Sequence, residues 1–373
     1  MLKQISILVC TIMITQAQTI EQLGEMLFFD VALSKNQTQS CATCHNPEEG
    51  FIDSRDNGVK KMVSLGDDLK SRGARNAPTV TYAMMSPHFH FDRKKQEYIG
   101  GQFLDGRENT LAGQAGGPPL NPIEMGMPNK KMVIDRLKEN RHYVTIFQDI
   151  FGDKIFKDED RAYEAMRLAI EAFEKSKTFA PFDSKYDRYL KGEYELSVLE
   201  DLGRTLFFSN DNLTCAKCHI LKGEDKAGET FSNYEYHNIG VPSNPVLIEK
   251  GIVSSDFIDH GLLENPHITD KKHDGKFKVP TLRNVSVTAP YMHNGVFTTL
   301  QAVIEFYDKY NNQKRVNNPE TNKPWAEAEV KKTVNLELLK AKKLTDRKVD
   351  ALIAFMHLLT DKRYEHLLKE GKK

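Results

Sequence analysis

The sequence carries no surplus of charge: 52 lysines and arginines are balanced by 52 aspartates and glutamates. That balance excludes the basic footprint of a nucleic-acid binder and the acidic block of a disordered tail. No uninterrupted apolar run reaches the ~18 residues that a membrane-spanning helix requires. Tryptophan is nearly absent, with one residue in 373, and cysteine is scarce, with five. The hydrophobic share of 39% is modest, which leaves room for a buried cofactor to supply part of the core. A chain of 373 residues is too long for one ordinary core and predicts two domains, at roughly 100–200 residues each.

At the N-terminus, Lys3 precedes an apolar run from Ile5 to Ile14, and Thr15 and Ala17 supply small residues for cleavage. This is the layout of a secretory signal peptide over 1–17, too short to span a bilayer comfortably. Cys10 lies inside the apolar run behind Val9, which is not small, so a lipoprotein anchor is not expected. The expectation is a soluble periplasmic protein with no stable membrane anchor.

Removing that segment leaves four cysteines, in Cys41-Ala-Thr-Cys44-His45 and Cys215-Ala-Lys-Cys218-His219. Both are C-x-x-C-H, which in an exported chain reads as covalent attachment of haem c. Two thiols one helical turn apart can each bond a vinyl edge of the porphyrin, and the adjacent histidine lies beneath the iron as proximal ligand. A disulfide framework, a thioredoxin-like pair and a zinc site compete with this reading. Zinc would want further Cys or His ligands nearby, and a redox pair would not need a histidine after the second cysteine twice over.

The motifs sit in an internal repeat. Leu23-Gly24-Glu25-Met26-Leu27-Phe28-Phe29 precedes the first and Leu202-Gly203-Arg204-Thr205-Leu206-Phe207-Phe208 the second, matching at Leu, Gly, Leu, Phe and Phe. A helix with that apolar face could pack on a haem edge, so each repeat reads as one haem domain. Apolar residues at three and four spacing predict helices over 158–176, 300–310, 334–341 and 349–359. The stretch 178–184, with Pro181, reads as a link. Strand signals are weak. The expected fold is mainly α, two cytochrome c-like haem domains packed against each other, over 18–180 and 181–373.

Longer motifs carry a resemblance. Arg75-Asn76-Ala77-Pro78-Thr79-Val80, Asp105-Gly106-Arg107, Gln114, Gly117-Pro118 and Asn121-Pro122-Ile123-Glu124-Met125 are followed by Lys278-Val279-Pro280-Thr281-Leu282-Arg283-Asn284 and Thr288-Ala289-Pro290-Tyr291-Met292-His293-Asn294-Gly295. In order and over nearly the whole mature chain this resembles the bacterial di-haem cytochrome c peroxidases, a family that includes the MauG-type enzymes, which oxidise tryptophans of a partner protein. The resemblance implies a peroxide site at the haem of Cys41, Cys44 and His45, and an electron-transfer haem on Cys215, Cys218 and His219. Where reductively activated members carry a sixth-position histidine, this chain has Ala74, so the implied iron is open. The stretch 84–101 is longer than in the family and holds His88 and His90, either of which could fold back onto that iron, although lone loop histidines more often face solvent.

The resemblance makes Glu124 the acid–base residue, with Gln114 and Pro118 beside it in the distal pocket. A carboxylate that moves a proton between the two oxygens of peroxide is worth typically 10²–10⁴-fold. Fourteen residues beyond His293, where peroxidases have a methionine ligand, stands Tyr307, as in the MauG-type pattern. Phenolate favours ferric iron and lowers the potential, while thioether raises it. Met292 is the alternative thioether. The family's inter-haem tryptophan is replaced by Leu104, and Trp325 does not match it. A calcium ion is implied on the Thr288 and Pro290 carbonyls, but its side-chain ligand, usually asparagine, falls on Tyr82, a poor donor for calcium.

The function expected is reduction of hydrogen peroxide with electrons from a small periplasmic cytochrome c or cupredoxin. The alternatives are a MauG-type oxidase acting on aromatic residues of a protein substrate, and a bare di-haem electron carrier. A homodimer is one assembly the resemblance allows.

Overall fold

The computed structural model describes residues 18–209, 215–221 and 229–368; the signal-peptide expectation for 1–17 lies outside them. Helices dominate. In the first half these are α1 (Ile20–Phe29), α2 (Cys41–Cys44), α3 (Leu111–Ala115), α4 (Lys130–Lys138), α5 (Arg141–Phe151) and α6 (Glu159–Glu174). Then come α7 (Lys185–Leu190), α8 (Val198–Phe207), α9 (Cys215–Cys218), α10 (Pro245–Glu249), α11 (Leu300–Asp308), α12 (Leu336–Leu339) and α13 (Asp346–Leu358). Among the described residues, strand is confined to two antiparallel pairs: β1 (His90–Asp92) with β2 (Glu97–Ile99), and β3 (Tyr236–His237) with β4 (Phe277–Lys278). Of the expected helices, 334–341 shrinks to the single turn of α12.

The helix starts are written locally. Thr19 and Gln22 form a reciprocal capping box at α1, Ser197 and Glu200 do the same at α8, and Asp158 accepts from the Arg161 amide at α6. Each box satisfies amides that the first turn leaves without partners.

Two apolar cores result. One gathers Leu23, Leu27, Phe28, Phe51, Met166, Phe173 and Phe179, and the other Tyr186, Phe207, Phe231, Leu352 and Phe355. They are built alike. Phe28 meets Phe173 and Phe51 at centroid distances of 5.5 and 6.1 Å; Phe207 meets Phe355 and Phe231 at 4.9 and 6.2 Å.

The repeat's glycine is the contact point. A Cβ on Gly24 would lie 1.8 Å from the Ala169 carbonyl oxygen in α6, and one on Gly203 1.9 Å from that of Ala351 in α13. The repeat's apolar face is thus taken up chiefly by a partner helix. Of its matched residues, only Phe207 lines the cavity described below, where the sequence suggested packing on a haem edge. The link 178–184 is no solvent tether: Phe179 is fully buried and Ala180 is 7% exposed.

Gly24→Ala and Gly203→Ala are each expected to destabilise the protein by roughly 1–3 kcal/mol through overpacking. Thermal unfolding of the two variants against wild type checks this, and unchanged melting would mean the crossings can open at no cost.

Candidate functional site: a cavity shared by two Cys-x-x-Cys-His turns

A continuous cavity of about 590 Å³ is lined by Cys41, Cys44 and His45 and also by Cys215, Cys218 and His219. None of the four cysteines is disulfide-bonded, and no cluster of three or more metal-binding side chains occurs among the described residues. Burial pushes the thiols up, Cys44 and Cys215 to about 11 and Cys218 to about 12. Reactive redox cysteines are shifted the other way. The disulfide, zinc and thioredoxin readings therefore lose their support.

The two histidines are held identically. Each backbone amide donates to the carbonyl of its first cysteine at 2.9 Å. Nδ1 of His45 bonds the Phe51 carbonyl at 3.2 Å, and Nδ1 of His219 bonds that of Phe231 at 2.8 Å. Both phenylalanines sit at φ 55°, a left-handed conformation rare for aromatic residues and frequent at functional sites. With Nδ1–H donating, Nε2 carries the lone pair that ligates iron. Burial also lowers both imidazoles, His219 to about 4, which keeps them in the neutral ligating form.

Glu124, Gln114 and Pro118 line the same cavity. Gln114 lies in α3, whose Ala112 and Gly116 carbonyls are anchored by Arg167 and Tyr163 of α6 at 2.7 and 2.8 Å. The following turn is closed by Met125 N on the Pro118 carbonyl and Gly126 N on the Asn121 carbonyl, at 3.2 and 2.9 Å. Glu124 is half-buried; desolvation holds its carboxyl above the usual range, against the Arg107 charge and a hydrogen bond from Asn121.

Gly73, Arg75 and Asn76 line the cavity, while Ala74 lines a small adjoining pocket and carries no donor atom. His88 and His90 are exposed at the β1–β2 hairpin and are not cavity-lining residues.

On the other side α11 presents Leu300, Val303, Ile304 and Tyr307, one helical face, to the cavity. Tyr307 keeps 36% of its surface, and its phenol is pushed up by burial and then by the nearby Cys218 and Cys215 sulfurs. Met292 lines the cavity too, but it packs into the cluster of Val241, Phe297 and Phe306.

Leu104 is a lining residue whose carbonyl accepts from the Lys278 amide at 3.0 Å. Trp325 is not: it packs on Phe297 and Phe306 and donates to the Arg315 carbonyl at 2.8 Å. Thr288, Pro290 and Tyr82 all line the cavity. The Tyr82 hydroxyl, however, donates to Asp361 at 2.5 Å, so the position expected to supply calcium's side-chain oxygen is engaged elsewhere.

Two polar groups, His237 and Glu174, escaped the sequence reading, and His293 entered it only as part of a motif. His237 and His293 face the cavity, with their Nε2 atoms 3.4 Å from Glu235 Oε2 and 3.6 Å from Glu329 Oε2, while His237 Nδ1 has no hydrogen-bond partner. That unpartnered Nδ1 is costly unless something fills the space beside it, and a porphyrin with its carboxylates fits that need. Glu174 is 4% exposed with Oε2 unpartnered, and burial and Glu171 push its carboxyl up to about 8. Its signal was available: it falls on the apolar stripe of the 158–176 helix, directly after Phe173.

The family model described as di-haem cytochrome c peroxidase matches residues 18–195. Methylamine utilization protein MauG of Paracoccus denitrificans is 48% identical over 354 residues, 94% of this chain and 90% of that protein. The chain belongs to the di-haem cytochrome c peroxidase family. Cytochrome c peroxidase Ccp of Escherichia coli is 32% identical over 298 residues, 79% of this chain and 54% of that longer protein. Among solved structures, the diheme peroxidase BthA of Burkholderia thailandensis has a TM-score of 0.82 at 29% identity, over 94% of this chain and 88% of that one. Membership brings two covalently bound haem c groups, and the paired thiols and neutral imidazoles fit them.

Glu174 gives the site a pH signature. The folded protein holds this proton up to about pH 8, whereas an ordinary glutamate releases it near 4.5, so stability falls as pH rises through that window. Glu174→Gln removes the decline. The melting temperature of the variant relative to wild type is expected to increase from the lower to the upper end of the window, and a constant difference would refute the assignment.

Proposed function

We propose that this chain is a periplasmic peroxidase. It reduces hydrogen peroxide at the haem of Cys41, Cys44 and His45, with electrons entering from a small cytochrome c or cupredoxin through the haem of Cys215, Cys218 and His219. The observation that carries the reading is the difference between the two sides of one cavity. A half-buried, desolvated carboxyl, Glu124, stands with Gln114 and Pro118 on one side, and a phenol, Tyr307, on the other. One haem belongs to 18–180 and the other to 181–373.

The haem iron supplies the centre that binds peroxide and accepts its oxidising equivalents. The chain supplies the rest. Glu124, its proton affinity raised by burial, takes a proton from one peroxide oxygen and returns it to the departing one. The Gln114 amide orients peroxide or water, and Pro118 limits the space beside them. Ala74 offers no ligand, which supports an iron open without prior reduction. A pure electron carrier gains nothing from a desolvated acid beside an open iron. Calcium is left out of the proposal, because Tyr82 has no amide or carboxylate oxygen to offer and its hydroxyl is bonded to Asp361.

A second reading is favoured by Tyr307 and by the 48% identity to a MauG protein. In it the same peroxide chemistry oxidises aromatic residues of a partner protein. A phenolate ligand at the second haem lowers its potential and suits stored oxidising equivalents better than a thioether does.

Glu124→Gln is expected to slow the reaction with peroxide by at least ~10²-fold while both haems remain attached. Stopped-flow absorbance measures it, and a wild-type rate would reduce Glu124 to a structural residue. Tyr307→Met is expected to raise the second haem's potential by on the order of 100 mV, within the ~0.8 V that axial ligands span. Potentiometry decides: an unaltered potential and spectrum would mean that Tyr307 is not a ligand and would remove the main support for the second reading.

A further inference from the structure

Leu104 stands where the family resemblance expects an oxidisable indole, and a leucine cannot carry an electron between the haems. Tyr82 is placed where it can. The Pro78 carbonyl lies against the His45 ring, as the Pro280 carbonyl does against His219. Four residues beyond each proline come Tyr82 and Asn284, both at φ 61°. Their amides donate to equivalent carbonyls, Tyr82 to Phe179 at 2.9 Å and Asn284 to Leu359 at 3.0 Å. Their side chains then converge on one carboxylate: Tyr82 Oη donates to Asp361 Oδ1 at 2.5 Å and Asn284 Nδ2 to Oδ2 at 2.8 Å. Tyr82 thus follows the proline whose carbonyl meets the first proximal histidine, shares Asp361 with the equivalent residue of the second half, and lines the shared cavity.

We propose that Tyr82 is a one-electron relay between the two haem sites, with Asp361 as the acceptor of its proton. The proposal rests on the peroxide reading given above. When the His45 site has been oxidised by hydrogen peroxide, Tyr82 gives it one electron. The phenolic O–H bond breaks, and its proton moves to Asp361, leaving a neutral phenoxyl beside a carboxylic acid. An electron from the His219 site then restores the phenol as the proton returns. One electron has crossed, and the Tyr82–Asp361 pair is unchanged.

The surroundings favour this coupled path. The Arg283 guanidinium lies 5.4 Å from the Tyr82 ring centroid, where its charge opposes a phenol radical cation, so the proton must leave with the electron. Arg283 is held in that position by a bidentate pair with Asp187 at 2.5 and 2.9 Å. The short O–H···O contact is that of a charge-assisted bond, already aligned for transfer. Tyr291, another cavity tyrosine, donates instead to a neutral acceptor, the Val285 carbonyl, at 3.0 Å.

The test uses the holoprotein with its second haem reduced. It is mixed with hydrogen peroxide, and the two haems are followed separately by stopped-flow absorbance in H₂O and D₂O. Tyr82→Phe is expected to leave the first haem's reaction unchanged and to slow oxidation of the second by at least about tenfold. Asp361→Asn, which keeps the phenol but removes the proton acceptor, is expected to slow it as well. Wild type should show a solvent deuterium effect on this step that Tyr82→Phe lacks. Second-haem oxidation at the wild-type rate in either variant, or no deuterium effect in wild type, overturns the relay. A wild-type first haem that ignores peroxide would instead overturn the function reading, so the two failures are distinguishable.

Discussion

Each half of the molecule closes where a glycine of one helix meets a carbonyl of another, and the shared cavity depends on that contact. With Gly24 against Ala169 and Gly203 against Ala351, the helix axes approach more closely than any side chain would permit. Once the crossing is fixed, residues one turn along α6 and α13 are fixed as well. Ile170 and Glu174 then line the cavity from one side and Leu352 and Met356 from the other. The phenylalanines stacked around each crossing include Phe51 and Phe231, whose carbonyls hold the two imidazoles. The position of each iron ligand is therefore set, through one aromatic residue, by a backbone contact in the core.

The same frame used twice makes the differences informative. The proximal side is conserved between the halves down to the histidine amide bond and the left-handed phenylalanine. Divergence is found elsewhere. A carboxyl, Glu174, occupies the register position that a thioether, Met356, takes in the other half. The turn bearing Glu124 faces one motif, and the α11 face bearing Tyr307 faces the other. Equal proximal ligation with unequal surroundings is how two chemically identical groups acquire separate tasks, since burial, charge and the opposite ligand are the protein's means of tuning a haem.

Much of this was legible in the sequence, because it is written in local pattern. The C-x-x-C-H turns, the Leu-Gly-x-x-Leu-Phe-Phe repeat and the apolar periodicity of α6 and α13 each depend on residues a few positions apart. The mainly helical fold follows from them. What stayed hidden depends on contacts far apart in the chain. Nothing local says that the Tyr82 hydroxyl meets Asp361, 279 residues away, or that Arg283 lies beneath its ring. The second repeat, Pro78-Thr79-Val80 against Pro280-Thr281-Leu282, is short, and the residues that follow it differ. Only the shared backbone conformation of Tyr82 and Asn284 makes it plain. The repeat's apolar face was read as a haem contact because a sequence cannot tell a helix surface from a porphyrin edge; both are flat and greasy.

The seam between the halves is polar where an apolar seam would have been simpler. Arg283 is 1% exposed, Asn284 and Asp361 are fully buried, and Tyr82 is 1% exposed. Burying a guanidinium and two carboxylates is unfavourable unless each has partners, and here each does. Asp187 takes Arg283 in a bidentate pair, while Asp361 takes Tyr82 and Asn284 and donates its own backbone amide to the Asn284 side-chain Oδ1 at 2.8 Å. A network satisfied in this way tolerates one arrangement of the halves and penalises others, because sliding either half leaves a charge alone in low dielectric. Leucine at 104 offers no oxidisable ring, whereas tyrosine at 82, within the seam, offers one with a proton acceptor already bonded to it.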